Sequence, residues 1–370
     1  AQGLLFVWMG SPDSADPEQL PLVPALEENP DSWTVQDTFR DLPMDAVTLL
    51  ENVLDVSHVP FTHHKTVGKR ENAAPVEATI TAENASGFKA YWEEGPRRGK
   101  LGAQSTTFLA PQLMWHDLTA KGFGRILTVV YAVPIRRGEC RLFARFPFQF
   151  QSALPRLLIG LRPRWLQHIG NHKVLEDDQV FLHWQERTLE AAGGSAAAER
   201  AFFLPTAADV YVAALHRWLN HNGGEPFAGQ PLPNRQPTTA LMDRYVSHTI
   251  HCRSCSTALI WIRRAQPVCW GLLWSGAILI GINGGWGLTS IGLIVSGSLL
   301  ATDTESFTTT GSGVELLMFT VGGSTSLSTC RPPSIAIGIG WLNSRTAVCA
   351  RTRTAPPRIR LDPTREIGQR

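Results

Sequence analysis

Between Val76 and Phe148 the chain sets down five strand-like runs in succession: VEATITA, GFKAYWEE, TTFLAPQLMWHDL, RILTVVYAVPI and ECRLFARFPF. Each is rich in β-branched and aromatic residues, and Gly, Pro or charged turns divide them at hairpin-like intervals. Such spacing leaves no room for crossover helices, so it predicts an antiparallel sheet of several strands. Helical patterns flank it. Asp45 to His58 reads as a helix with Leu49, Leu50, Val53 and Leu54 as its apolar stripe. The stretch 154–192 reads as largely helical, and DVYVAALHRWLNHNGG as a second helix closed by its two glycines. A meandering sheet with a helix before it and long helices after it makes an α+β domain with a cavity between the layers.

Composition narrows the function classes. A net charge of +2, with no basic run interleaved with aromatics, argues against a nucleic-acid reader. Six cysteines in 370 residues are too sparse for a disulfide scaffold, and only Cys252 and Cys255 lie close together. The N-terminal AQGLLFVWMG has no basic n-region or cleavage pattern and reads as an apolar strand of a preceding domain. Gly10 to Pro43 is proline-rich and acidic, a linker with short extended pieces.

Beyond Gln266 the character changes. No charged residue occurs from Pro267 to Ala301, a run longer than the ~20 apolar residues that cross a bilayer, with tryptophans 270, 274 and 286 at spacings that suit interfaces. One membrane span, or two joined near INGG, is therefore expected. From Asp303 onward the sequence is Ser/Thr/Gly-rich and then Arg/Pro-rich, without a sustained period, and reads as disordered or aberrant. The expected division is 1–20, remnant of another domain and linker; 21–225, catalytic domain; 226–265, linker with Cys-x-x-Cys; 266–301, membrane anchor; 302–370, tail.

The chemistry concentrates in ENVLDVSHVPFTHH, where Asn52, Asp55 and His58 follow one polar ridge and Pro60 separates His58 from His63. Two imidazoles and one carboxylate are the ligand set of a mononuclear non-haem iron site that leaves positions open for oxygen and substrate. Asp55 would serve equally as a partner for the other ring nitrogen of His58. Asp177 and Asp178, in LEDDQVFLHWQER, are candidates for the carboxylate ligand, with Glu176 and Glu186 read as solvent-facing. An isolated H-x4-H is more often structural than metal-binding; the longer pattern N-x2-D-x2-H-x4-H is more specific.

NVLDVSHVPFTHH resembles the mononuclear-iron motif of Rieske-type non-haem oxygenases, in detail that of the pheophorbide a oxygenase group, which includes chlorophyllide and protochlorophyllide oxygenases. The resemblance runs from Ala1 to about Ile260. QGLLFVW is similar to the last strand of the Rieske domain, VYAVPIRRGECRLFARFPF to the group's sheet, LEDDQVFLHWQE to the segment bearing the carboxylate ligand, and DRYVSHTIHCRSCSTAL to its C-terminal Cys-x-x-Cys segment. The resemblance implies a helix-grip-like catalytic domain. It implies Fe(II) held by His58, His63 and Asp178, with Asn52 beside the iron and Asp55 relaying electrons from a neighbouring subunit's [2Fe–2S] cluster. It also implies a homotrimer, ferredoxin as electron donor, O2 and a chlorophyll-derived tetrapyrrole as substrates, and a chloroplast envelope or thylakoid membrane, or its cyanobacterial equivalent, as location.

The cluster needs Cys-x-His and Cys-x2-His, and no cysteine in this sequence precedes a histidine at either spacing. The chain is therefore expected to bind Fe(II) and to turn over poorly without an added Rieske domain. Cys252 and Cys255 are expected to be redox or structural thiols, and the resemblance suggests thioredoxin as their partner. Zinc is the alternative, with His248 and His251 as nearby ligands, although their compressed spacing makes one closed site awkward. Two other functions compete with the oxygenase: a non-catalytic helix-grip module binding pigment or lipid, and a zinc hydrolase. The hydrolase lacks a water-activating base in a His-Glu-x2-His arrangement.

Overall fold

The computed structural model describes residues 1–8, 10–120, 122–194, 197–283 and 307, all within the first of two compact units, 1–316. Along the chain these form α1 (Pro24–Glu28), β1 (Thr34–Leu42), α2 (Ala46–Leu54), α3 (Val59–Thr62), β2 (Thr79–Asn84), β3 (Gly87–Trp92), β4 (Gln104–Leu109), β5 (Leu113–Ala120), β6 (Gly124–Arg136) and β7 (Glu139–Phe150). Helices follow: α4 (Ala153–Leu161), α5 (Arg164–Ala192), α6 (Ala198–Ala201), α7 (Val210–His221), α8 (Thr238–Leu241), α9 (Arg244–Ser247) and α10 (Arg253–Asn283).

The seven strands make one antiparallel sheet in the order β1-β7-β6-β5-β4-β3-β2. From β2 to β7 it is a simple meander, and β1 closes the far edge against β7, pairing Thr34 with Phe148 through Leu42 with Cys140. The strand period of two divides the side chains cleanly. Phe88, Phe108, Met114, Val130 and Leu142 face a core shared with Leu49, Leu50 and Leu54 of α2, Leu182 of α5 and Leu215 of α7. Leu113, Leu127, Val129 and Tyr131 face the other way, onto Val23, Leu26 and Trp33, with Leu4 and Phe6 of the N-terminal segment packed alongside.

Several expectations are corrected. The run TTFLAPQLMWHDL is two strands, β4 and β5, because Pro111 has no amide to donate to a ladder and sits in the turn between them. The linker expected at 10–43 contains β1. The helix expected to reach His58 stops at Leu54. Asp55 caps it, and its side-chain oxygen reaches forward to accept from the Ser57 amide at 2.8 Å, an Asx turn that competes with helical bonding. Pro60 then starts α3 in its first turn, where the missing amide costs nothing. Pro163 similarly divides the long C-terminal helical stretch into α4 and α5. Glu176 and Glu186, expected in solvent, are 6 % and 5 % exposed.

Of the membrane anchor expected at 266–301, residues 267–283 continue α10, which begins at Arg253 and includes Arg263 and Arg264. Among the described residues no helix is long and apolar enough to cross a membrane. Residues 284–301, and the tail apart from Phe307, lie outside the described residues. Within 226–265, residues 228–240 are mostly exposed, but Leu241, Arg244, His248, Cys252 and Cys255 are all buried.

Candidate metal centre

A cavity of about 1140 Å³ lies between the helix-covered face of the sheet and the α2–α3 segment, with α5 along its side. Trp92, Leu142, Phe146 and Phe148 give it an apolar wall, and Gln104 and His116 are polar points on the sheet. Asn52, His58, His63 and Asp178 all open onto this space.

Three local structures aim those side chains. α2 ends two residues after Asn52, the Asx turn at Asp55 delivers His58, and the short α3 brings His63 back beside it. Asp178 comes from the middle of α5. His58 Nε2 and His63 Nε2 are 3.2 Å apart, and Asp178 Oδ2 lies 3.1 Å from the second and 3.7 Å from the first. The Asn52 amide donates to the same Oδ2 at 3.0 Å.

The hydrogen bonds behind these atoms decide what they can do. His58 Nδ1 donates to the backbone carbonyl of Asp55, and His63 Nδ1 donates to Asp177 Oδ2 at 3.2 Å. Thr66 Oγ1 donates to the same Asp177 oxygen at 2.7 Å. With both Nδ1 atoms committed as donors, both Nε2 atoms carry lone pairs, the arrangement in which a metal-ligating histidine is held by a hydrogen bond from its other ring nitrogen. Two nitrogen lone pairs and a carboxylate then converge within 4.8 Å with no proton of their own to share. Asp178 Oδ1 is also buried without a hydrogen-bond partner. A cation satisfies all of these groups at once, so the residues present fit a metal ion.

The local electrostatics agree. Burial disfavours the His63 imidazolium, but hydrogen bonding and charge from Asp178, then from Asp177, outweigh it and raise its pKa above the ordinary value. The site thus favours positive charge. His116, fully enclosed, is pushed down to about 4 by burial against the smaller opposing effect of the Val53 carbonyl that its Nε2 faces at 2.9 Å. It stands in the cavity wall as a neutral ring.

The structure brings together Asn52, His58, His63 and Asp178 and places Asp55 behind His58, its Oδ2 3.9 Å from Nδ1. Cys252 and Cys255 lie elsewhere, beside His168 near the start of α5. Of the large apolar residues on the strands, Trp92 and Phe146 line the cavity, Phe88 and Phe108 are core, Leu113 and Trp115 belong to the opposite face of the sheet, and Tyr91 is exposed. Two features escaped sequence reasoning. Asp177, named from the sequence as a candidate ligand, instead orients His63 through its Nδ1. A buried ridge of His168, His172 and Glu176 runs along α5. Its signal was the spacing i, i+4, i+8, three polar residues stacked on one face of a helix that also carries Asp178.

A family model described as pheophorbide a oxygenase matches residues 108–196. The chain is 32 % identical over 297 residues to the chloroplastic pheophorbide a oxygenase of Oryza sativa subsp. japonica, covering 73 % of this chain and 55 % of that protein. It is 30 % identical over 268 residues to the chloroplastic flavonoid 8-hydroxylase 2 of Ocimum basilicum, covering 64 % and 47 %. Among solved structures, dicamba monooxygenase bound to dicamba aligns with a TM-score of 0.44 at 17 % identity, over 59 % of this chain and 67 % of that one. The chain spans about half the length of the curated relatives it matches. The family model across β5 to α5 and the 32 % identity over 297 residues make this chain a member of the pheophorbide a oxygenase family.

Proposed function

We propose that this chain is the iron-holding catalytic part of a Rieske-type monooxygenase that acts on a chlorophyll-derived tetrapyrrole in the chloroplast. The observation that carries the proposal is the convergence of His58 Nε2, His63 Nε2 and Asp178 Oδ2 on the wall of a large, mostly apolar cavity. Those three residues would hold Fe(II), which when bound supplies the O2-activating chemistry of this family. Asn52 donates to Asp178 and fixes its carboxylate, Asp177 fixes the ring of His63, and the Asp55 carbonyl fixes the ring of His58. At about 1140 Å³ the cavity slightly exceeds the ~300–1,000 Å³ usual for small-molecule sites, which suits a broad, flat macrocycle better than a single small aromatic ring. Its apolar wall excludes water around the substrate, and neutral His116 and Gln104 offer hydrogen bonds to polar edges of the ring.

Asp55 is half-buried, with its carboxylate between the surface and His58, a position that suits electron delivery from a [2Fe–2S] cluster on a neighbouring subunit of a homotrimer. Ferredoxin would supply that cluster. The cluster itself must be held outside these 370 residues, which lack its ligand spacings. A pigment- or lipid-binding module without chemistry is the weaker reading, because it gives no reason for imidazole tautomers set to leave three acceptor atoms facing one another.

The test is anaerobic loading of the full chain with Fe(II), compared with H58A, H63A and D178A. About one iron per chain in the unsubstituted protein, lost in each variant, is expected. Turnover of pheophorbide a or chlorophyllide a should then require O2, ferredoxin with its reductase, and an added Rieske domain. Iron content indifferent to all three substitutions would overturn the proposal.

A further inference from the structure

A second cluster of ligand-type side chains lies nearer the start of α5, and the oxygenase reading makes no use of it. His168 of α5, His248 at the end of α9, Cys252 in the turn that follows and Cys255 in the first turn of α10 are 4 %, 1 %, 7 % and 1 % exposed. Their donor atoms all lie within 4.8 Å of one another. His168 Nδ1 is 3.1 Å from His248 Nε2, 3.5 Å from Cys252 Sγ and 3.4 Å from Cys255 Sγ; His248 Nε2 is 3.3 Å from Cys255 Sγ.

These distances have a simple geometric meaning. Four ligands placed tetrahedrally about one zinc ion, at ~2.0–2.1 Å for nitrogen and ~2.3 Å for sulfur, stand roughly 3.3 Å apart for a nitrogen pair and roughly 3.5 Å apart for nitrogen and sulfur. The observed separations match those values with no ion imposed. A two-iron cluster is a different arrangement, since it holds its cysteine pair and its histidine pair on separate irons. Here nitrogen and sulfur intermingle around one point, so there is room for one ion.

The surroundings of each ligand support the same conclusion. His248 Nδ1 donates to the Phe39 carbonyl at 2.7 Å, which leaves the Nε2 lone pair facing the cluster. His168 Nε2 is buried without a partner among the described residues, and the ring's polar contacts there are made through Nδ1 to the cluster. Cys252 and Cys255 are buried with no disulfide between them. His251, close in sequence, is exposed and is not one of the four.

We propose that His168, His248, Cys252 and Cys255 bind a single structural Zn²⁺ ion in a closed Cys2His2 site. Binding deprotonates both thiols and releases two protons, while the two imidazoles coordinate as neutral rings. With four protein ligands the ion has no open position for substrate, so its role is to clamp α10 and the end of α9 onto α5 and β1. The clamp is separate from the triad: the two groups share no residue, and His168 and Asp178 stand ten residues apart on α5, a rise of ~15 Å and a turn of roughly 80°.

The experiment is metal analysis of the full chain, expressed with zinc and iron and dialysed against a weak chelator. About one tightly held zinc per chain is expected, lost in C252S and in C255S and retained in H251A and in H63A, which loses only iron. A second measurement needs no substitution: cobalt exchanged into the unsubstituted protein should show thiolate-to-cobalt charge transfer and the intense visible bands of a tetrahedral ion. An unsubstituted protein without tightly held zinc or that cobalt spectrum, whose Cys252 and Cys255 instead form a disulfide in air, would overturn the proposal in favour of a redox pair. Zinc retained in both cysteine variants would overturn it as well.

Discussion

Glu176 is the only carboxylate that bonds both Arg40 and Arg244 among the described residues, and Glu176→Gln tests how much that matters. Arg40 Nη1 donates to Glu176 Oε1 at 2.7 Å, while Arg244 forks onto both carboxylate oxygens at 2.6 Å each. The side chains are 0 %, 5 % and 4 % exposed for Arg40, Glu176 and Arg244, so water screens the group very little. Burial already lowers the pKa of Arg40, against the opposing pull of Glu176. Glutamine preserves shape and removes the charge, leaving two buried guanidinium groups close together. Removing one partner of a buried ion pair costs about 3–5 kcal/mol, a large part of the ~5–15 kcal/mol that holds an ordinary domain together. At ~2–4 °C per kcal/mol for a domain of this size, the melting temperature should fall by roughly 6–20 °C. Differential scanning calorimetry of the iron-loaded protein is the assay, and iron content below the transition should stay near the unsubstituted value because Asp178 is untouched. A fall of less than ~3 °C would refute the reasoning, since it would mean that the arginines find other compensation at little cost.

Asp177→Asn should lower iron affinity about 10–100-fold without abolishing binding, because it weakens the hold on His63 but leaves all three ligands in place; competitive titration with a chelator checks this, and an effect as complete as that of D178A would contradict it. Glu186 gives a pH signature. Burial first, then the charge of Asp45, pushes its carboxyl up to about 7 from an ordinary 4.5. The folded state therefore binds more protons than the unfolded state between those values, and this group's contribution to stability falls as pH rises from about 4.5 to about 7. Thermal melts across that range should show a shallower loss in E186Q than in the unsubstituted protein; parallel profiles would refute the assignment.

The sheet was legible where its strands obey the period of two with one apolar face, as in β3, β6 and β7. β1 was not. In TVQDTFRDL the polar residues look like linker, and only pairing with β7 shows that Asp37 and Asp41 meet Arg145 and Arg141 across the strands. The triad was legible because His58 and His63 are close in sequence and the motif around them has a family resemblance. The helical ridge expected through Asn52, Asp55 and His58 broke at Asp55, whose side chain competes with the helix for an amide. The second cluster was half legible. Proximity along the chain suggested His251, whereas the residue that meets Cys252 and Cys255 is His168, 84 positions before Cys252. Periodicity along one helix cannot reveal which distant segment packs on it.

α5 runs unbroken for 29 residues, a rod ~43 Å long. It carries His168 toward one cluster and Asp178 toward the other, with Glu176 between them gripping Arg40 and Arg244. Deleting or inserting a single residue between 168 and 178 would turn one end by ~100° relative to the other and shift it by ~1.5 Å, so one cluster could keep its register only by losing the other. The length of this segment is therefore fixed as tightly as the identity of its ligands. Anyone grafting, shortening or recombining this domain can vary the hairpin turns, but must move α5 as one indivisible piece.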